Sequence, residues 1–234
     1  MYNIRLVCEG VTDQRVLEAV LLAYLKTPSF RINRIQPDGS LYGGDAGPHG
    51  GGWKGVRGWC KSVQEAGGLE EIGALRPDVS LLIIHVDADI VLDEEHGIIL
   101  PCPPPEKAIL AAEKIVMEWL GLAHLPENVL IWVPGMATEA WLLRAIFPDL
   151  PQSRSCLADP LPPACVECIE DPAAVLEGKR PKFVRRKGKD LKKIATAYRD
   201  AHPALAEAWG DLVDSLWSAS RLQQGLSRCI PATT

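Results

Sequence analysis

No stretch of this 234-residue chain approaches the ~18 consecutive apolar residues of a membrane-spanning helix, so none is expected. The opening MYNIRLVCEGVTD lacks a basic segment leading into an apolar stretch and a small-residue cleavage site. A secretory signal is therefore not expected, and the cytoplasm is the expected location. Internal repeats and low-complexity tracts are missing as well. The glycine-rich 43–52 (GGDAGPHGGG) contains no GKS or GKT, which excludes a nucleotide-binding P-loop there. It reads either as a lid near a substrate or as a plain connection. His49 within it reads as a solvated loop residue before it reads as a phosphate contact. An overall excess of positive charge is lacking too. There are 25 Lys and Arg against 30 Asp and Glu, which argues against a non-specific binder of polyanions. The seven cysteines are odd in number and scattered. Cys165 and Cys168 form a CxxC with Cys156 upstream, but no second CxxC or suitable His pair completes the roughly four ligands of a structural zinc. A loop with reduced cysteines is the favoured reading.

What is present is ordinary in bulk and uneven in distribution. Hydrophobic residues make up 47% and charged residues 24%, the balance of a globular chain with a real core. Residues 179–193 (KRPKFVRRKGKDLKK) carry nine Lys or Arg against one Asp, whereas the stretch from Glu65 to Glu95 is rich in acids. This asymmetry predicts an acidic site and a separate basic docking patch.

Periodicity places the elements. Strands are expected at 2–8, 30–36, 80–87 and 128–133, the last two as near-continuous apolar runs that suit parallel strands buried on both faces. Helices are expected at 12–26 with Thr12 as N-cap, at Trp53–Ala66, from Pro103–Pro105 to about Leu122, and at Glu139–Phe147 capped by Thr138. The order β-α-β-α-β-α-β-α predicts an α/β fold with a mainly parallel sheet flanked by helices. After Pro148 the texture changes. Residues 1–148 read as the α/β domain. Residues 149–234 read as a C-terminal helical extension, irregular and rich in Pro and Cys at first. It has a short helix near Pro172–Glu177 and is helical again over 189–226, with Trp209 and Trp217 on apolar faces. The seven tryptophans read as core.

Chemistry is expected where carboxylates meet the carboxyl ends of strands, the edge at which open α/β sheets bind ligands. Glu9 and Gly10 sit where the first strand gives way to the first helix. Asp87 and Asp89 end the third strand in HVDAD. If strand geometry persists through Ala88, these two project to one face. If strands one and three are neighbours, Glu9 faces them across roughly 5 Å. Carboxylates so close repel, and a hard divalent cation relieves the repulsion. A DxD at a strand end often only caps a loop, but the E-G-x-T-D arising at the same sheet edge favours function. His85, on the same face, reads as a buried structural histidine or as a partner to a carboxylate.

The pattern V-C-E-G-V-T-D after a first strand, then I-I-H-V-D-A-D after a third, resembles the TOPRIM domain over about residues 1–148. It is closest to the small stand-alone and OLD-nuclease-like branch. The resemblance implies that Glu9 is a metal ligand or acid/base and that Asp87 and Asp89 bind Mg²⁺ (or Mn²⁺), as one ion or two. It adds Asp13, one helical turn after Glu9, whose other reading is a first-turn Asp complementing the helix dipole. It also adds Glu139 of A-T-E-A-W-L-L-R-A-I-F-P as a second-metal ligand, against the same dipole reading. A topoisomerase tyrosine domain, a primase zinc module and an ATPase P-loop are missing, so the chain would act alone or with a partner. In the basic run, Lys182, Arg185, Arg186, Lys187 and Lys189 are expected to contact nucleic-acid phosphates; the alternative is a solvated loop paired with the protein's own acids. OLD-like nucleases also carry a C-terminal lysine near the metals, a place that Lys187 or Lys189 would take. The function expected from this resemblance is a Mg²⁺-dependent nuclease acting on DNA or RNA, in antiphage defence, beside an ATPase or other partner. The alternatives are a binding or regulatory subunit that needs such a partner, and a nucleotidyl- or phosphoryl-transfer enzyme of the same fold.

Overall fold

The computed structural model describes residues 1–37, 48–96, 105–149 and 163–230. The fold is α/β. Strands β1 (Tyr2–Val7), β2 (Phe30–Gln36), β3 (Leu81–His85) and β4 (Val129–Trp132) form an all-parallel sheet in the order β2-β1-β3-β4. Strands β1 and β3 are direct neighbours, with Ile4 opposite Leu81 and Val7 opposite Ile84. β3 is buried along its whole length, as its unbroken LLIIH run requires of a strand covered on both sides.

Alternating side chains feed two apolar layers. On one face Ile4, Leu6, Leu81, Ile83, Leu130 and Trp132 pack against α1 (Val11–Leu25) and α4 (Glu139–Ile146). On the other, Val7, Leu82, Ile84, Val129 and Ile131 pack against α2 (Gly52–Glu65) and α3 (Pro105–Leu120). The C-terminal helices α6 (Ala195–Asp200), α7 (His202–Glu207), α8 (Trp209–Ser215) and α9 (Trp217–Cys229) join the first layer through Tyr198, Leu205, Leu212, Leu222 and Leu226. Helix α9 lies so close to β4 that a Cβ on Gly225 would stand 2.3 Å from Leu130 Cδ1. In both layers burial is continuous, so the residues after 163 complete the core over α1. Buried Glu167, on the 3-10 turn Pro163–Cys168, accepts the Trp217 and Ser218 N–H groups and caps α9.

Several local expectations are corrected. Helix α1 is capped at Gly10, and Asp13, not Thr12, satisfies an N-terminal donor by accepting the Gly10 N–H at 2.8 Å. Strand β3 ends at His85; Asp87 then caps a 3-10 turn, Ala88–Leu92. Thr138 is helical in its dihedrals and its side chain makes no cap bond. The helix expected from residue 189 begins instead as a hairpin. After α5 (Pro172–Glu177), β5 (Val184–Lys187) pairs antiparallel with β6 (Asp190–Lys193). Gly188, with φ +66°, opens the two-residue turn Gly188–Lys189, a conformation that suits a hairpin and ends any helix. No helix among the described residues is long and apolar enough to cross a membrane.

Candidate functional site

The parallel register of β1 and β3 delivers Glu9 and Asp87 to the same edge of the sheet. The Asp87 backbone N–H donates to Glu9 Oε1 at 2.8 Å. Because the chain turns into a 3-10 helix after Asp87, Asp89 does not share a strand face with it. Asp89 is instead exposed at the mouth of a cleft whose wall holds buried Asp87. The turn is held by Ala88 and Asp89 N–H groups donating to the carbonyls of Pro134 and Met136.

Behind Asp87 lies fully buried His85, its Nε2 3.3 Å from Asp87 Oδ1 and its Nδ1 3.7 Å from Asp13 Oδ2. Thr138 bridges the same two acids: its N–H donates to Asp87 Oδ1 at 3.1 Å and its hydroxyl to Asp13 Oδ1 at 3.2 Å. His85 is thus a carboxylate partner, and Thr138 organises the acids instead of capping α4. Asp13 caps α1 and belongs to the cluster at the same time, so its two readings coexist in one side chain.

Glu139 is fully buried, and both its oxygens are engaged. Lys193 Nζ lies 2.9 Å from Oε1 and 3.0 Å from Oε2, and Tyr198 Oη donates to Oε1. Lys193 comes from the hairpin. Cross-strand pairing puts Val184 and Lys193, and Arg186 and Leu191, on its inner face, and Arg185 and Lys192, and Lys187 and Asp190, on its outer face. The inner face serves the fold and the cleft: Val184 is buried, Arg186 forks onto Glu177 at 2.5 and 2.7 Å, and Lys193 reaches Glu139. Lys182, Arg185, Lys187, Lys189 and Lys192 are exposed. The like charges of Arg185 and Lys192 stand directly opposite, an arrangement that disfavours the hairpin unless an anion lies across it. The lysine beside the acids is therefore Lys193, not Lys187 or Lys189.

The electrostatics divide the acids. Burial, with Asp87 and Asp13 close by, pushes Glu9 well above the carboxylate range. Burial likewise raises Asp13, although His85 and Lys193 oppose it. Burial and the charge of Asp87 push Asp89 up to about 7. Burial alone would also raise Asp87, but His85, Lys193 and the Thr138 N–H outweigh it and hold Asp87 below its ordinary value. Desolvation opposes the charge on Lys193, yet Glu139, Asp13 and Asp87 hold its ammonium well above the usual lysine value.

A cleft of about 570 Å³ opens onto Asp87, Asp89, Glu139 and Lys193 and is also lined by Trp53, Leu92, Asp93 and Glu170–Ala173. An all-oxygen acidic set suits a hard cation such as Mg²⁺, and the raised Glu9 and Asp89 are the groups such a cation would relieve. Convergence is another matter. Among the described residues, no three His, Cys, Asp or Glu side chains stand together as a ready ligand set. One Glu9 oxygen accepts an N–H, Asp13 is engaged by Gly10 and Thr138, and both Glu139 oxygens by Lys193 and Tyr198. Of the CxxC, Cys168 is buried; Cys156 and most of the glycine-rich loop lie outside the described residues. Sequence reasoning missed Lys193 and Tyr198, which lie beyond any local motif, and it took Trp53 for core. Compared with known proteins, the chain matches no family model, no curated protein and no solved structure, so the TOPRIM resemblance rests on the two motifs alone.

Proposed function

We propose that this chain is a divalent-cation-dependent nuclease of TOPRIM type, hydrolysing phosphodiester bonds of DNA or RNA. The observation that carries this reading is the meeting of Glu9 and Asp87 across adjacent parallel strands, with Asp89 beside them, at the carboxyl edge of the sheet. Mg²⁺ or Mn²⁺, held by Glu9, Asp87 and Asp89, would supply an activated water and neutralise charge on the phosphate. The protein's own groups do the rest. His85 and Thr138 orient Asp87 and keep it ionised at neutral pH. Lys193, a permanent cation on the cleft wall, offers a contact for a phosphate oxygen. The outward Arg185, Lys187 and Lys192 would hold the flanking backbone.

A second reading, a subunit that is silent until a partner such as an ATPase acts on it, is favoured by one feature. Both Glu139 oxygens are occupied, and among the described residues three free carboxylates do not converge. Incubating the purified chain with plasmid, single-stranded DNA and tRNA, with and without Mg²⁺ or Mn²⁺, tests both. Divalent-dependent cleavage that a chelator stops is expected. Turnover of free nucleotides without strand cleavage would replace the nuclease with a phosphoryl-transfer enzyme, and silence with every substrate would favour the subunit.

A further inference from the structure

Among the described residues, Trp53 is the one large aromatic side chain that lines the acidic cleft, and core packing does not account for all of its surface. It stands on the first turn of α2, directly after Gly52, whose N–H donates to the Glu9 carbonyl at 2.9 Å. The backbone of the proposed metal-binding glutamate and the ring of Trp53 are thereby fixed to one another. Trp53 is only half-buried. Its plane is nearly parallel to that of Trp119, at 13°, but the ring centroids are 6.1 Å apart. His96 also tilts against the indole, with ring centroids 5.6 Å apart, and the part of Trp53 left open lines the cleft. Leu92, 52% exposed and part of neither core layer, lines the same cleft. Two cations attend the indole, with Lys54 Nζ and Arg57 Cζ each 5.1 Å from the ring centroid.

An apolar wall carrying an aromatic ring, set beside an acidic floor and Lys193, matches the composition of a single nucleotide: a flat base, then a phosphate. We propose that Trp53, with Leu92 beside it, seats one unpaired base next to the scissile phosphate, so that the substrate is single-stranded or locally opened nucleic acid. This inference rests on the reading of the acidic cleft as a phosphodiester site and adds to it the form of the substrate. A base inside a duplex has both faces stacked on its neighbours and offers none to a protein ring, whereas every unpaired base does. The volume of the cleft, about 570 Å³, is in the range of sites for small ligands and has room for a single nucleotide.

The test is a double-mutant cycle on binding, run in Ca²⁺ so that cleavage does not interfere. The affinity of the full chain is measured for a thymidine oligonucleotide, for the same backbone made wholly abasic, and for a duplex. Trp53→Ala and Trp53→Phe are measured in parallel. Wild type is expected to prefer the thymidine strand over both other ligands. Trp53→Ala should lose about ten- to a hundredfold on that strand and almost nothing on the abasic backbone, and Trp53→Phe should recover most of the loss. A general loosening of α2 would weaken all three ligands alike. That result, or equal binding of thymidine and abasic strands by wild type, overturns the proposal. Failure of the underlying reading looks different: base-dependent binding through Trp53 with no cleavage in Mg²⁺ removes the nuclease and leaves the seat. Cleavage of duplex and single strands alike, unaffected by Trp53→Ala, removes the seat and leaves the nuclease. No binding to any strand removes both.

Discussion

The two halves of the acidic cleft are built from the same residue types and settle their charge in opposite ways. On one side Glu139 is neutralised inside the protein by Lys193 and Tyr198. On the other, Glu9 and Asp89 have no ion-pair partner among the described residues, and their carboxyls are raised by burial and by Asp87. The difference separates structure from chemistry. A paired carboxylate is part of the scaffold, whereas crowded, uncompensated ones represent a cost that a bound cation would remove. Asp87 stands at the border, crowded by acids yet kept ionised by His85, Thr138 and Lys193.

The largest effect is expected at that border. Asp87→Ala removes the carboxylate from the uncompensated half while leaving the Glu139 pair intact. Cleavage should fall by at least about a hundredfold, with the far-ultraviolet spectrum and the melting transition of a folded domain. A folded variant that cleaves at the wild-type rate would falsify the assignment of the site.

The compensated half should fail through stability instead. Lys193→Met leaves Glu139 buried without its cation. Breaking a fully buried pair costs about 3–5 kcal/mol. The Lys193 side chain is 34% exposed, so water screens part of the interaction, and roughly 2–3 kcal/mol is expected from urea unfolding. Adding Glu139→Gln to Lys193→Met should restore much of this, because the stranded charge is then gone. A double variant as unstable as the single one would show that the pair is not what holds the hairpin to α4. Glu139→Gln alone also sharpens the comparison. If Glu139 belongs to the scaffold, the stoichiometry of Mn²⁺ is unchanged, and if it holds a second ion, one equivalent is lost.

The hairpin repeats the contrast on a smaller scale. Its inner Arg186 is committed to Glu177, and its outer Arg185 and Lys192 face each other. Replacing Arg185 and Lys192 by Gln should lower the slope of log affinity against log salt by about 0.7–0.9 per lost phosphate contact. Arg186→Gln should leave the slope alone. Equal slopes for all variants would move the nucleic-acid path off the hairpin.

How much of this was legible follows from where each signal lies. The parallel strands were plain because LLIIH and VLIW are apolar runs that only a doubly covered strand accommodates. Glu9, Asp87 and Asp89 were plain because they sit at strand ends within a few residues of such runs. The strand-face argument for Asp87 and Asp89 failed because the backbone turns into a 3-10 helix after Asp87, tied to the Pro134 and Met136 carbonyls. No local pattern announces a turn held by residues nearly 50 positions away. Lys193 was hidden for a related reason. Nine cations in one run look alike until the hairpin register sends alternate ones inward, and a Gly188 turn that fixes the register competes with a lysine-rich helix reading. The Glu139–Tyr198 contact spans 59 residues and has no signature in sequence.

The subtlest consequence of an uncompensated half concerns pH. The Asp89 carboxyl titrates at about 7 because burial and Asp87 disfavour its anion. It holds its proton more tightly folded than unfolded, so its linkage to folding lowers stability as pH rises from the ordinary carboxylate range to about 7. Although neighbouring atoms crowd its carboxyl, Asp89 opens to solvent at the cleft mouth, and screening leaves little of that contribution visible in unfolding. The effect should appear in metal binding instead, since a protonated carboxyl does not ligate a hard cation. Wild-type affinity for Mn²⁺, measured calorimetrically, should climb by up to about tenfold per pH unit below neutrality and level off above about 7. Asp89→Asn should bind more weakly at high pH and lose the part of the climb near neutrality. What remains should be the titration of Glu9, which is coupled to Asp87 and Asp89 and is also raised. If the two proteins follow the same curve, Asp89 is not a ligand, and its raised carboxyl reports only the charge of Asp87.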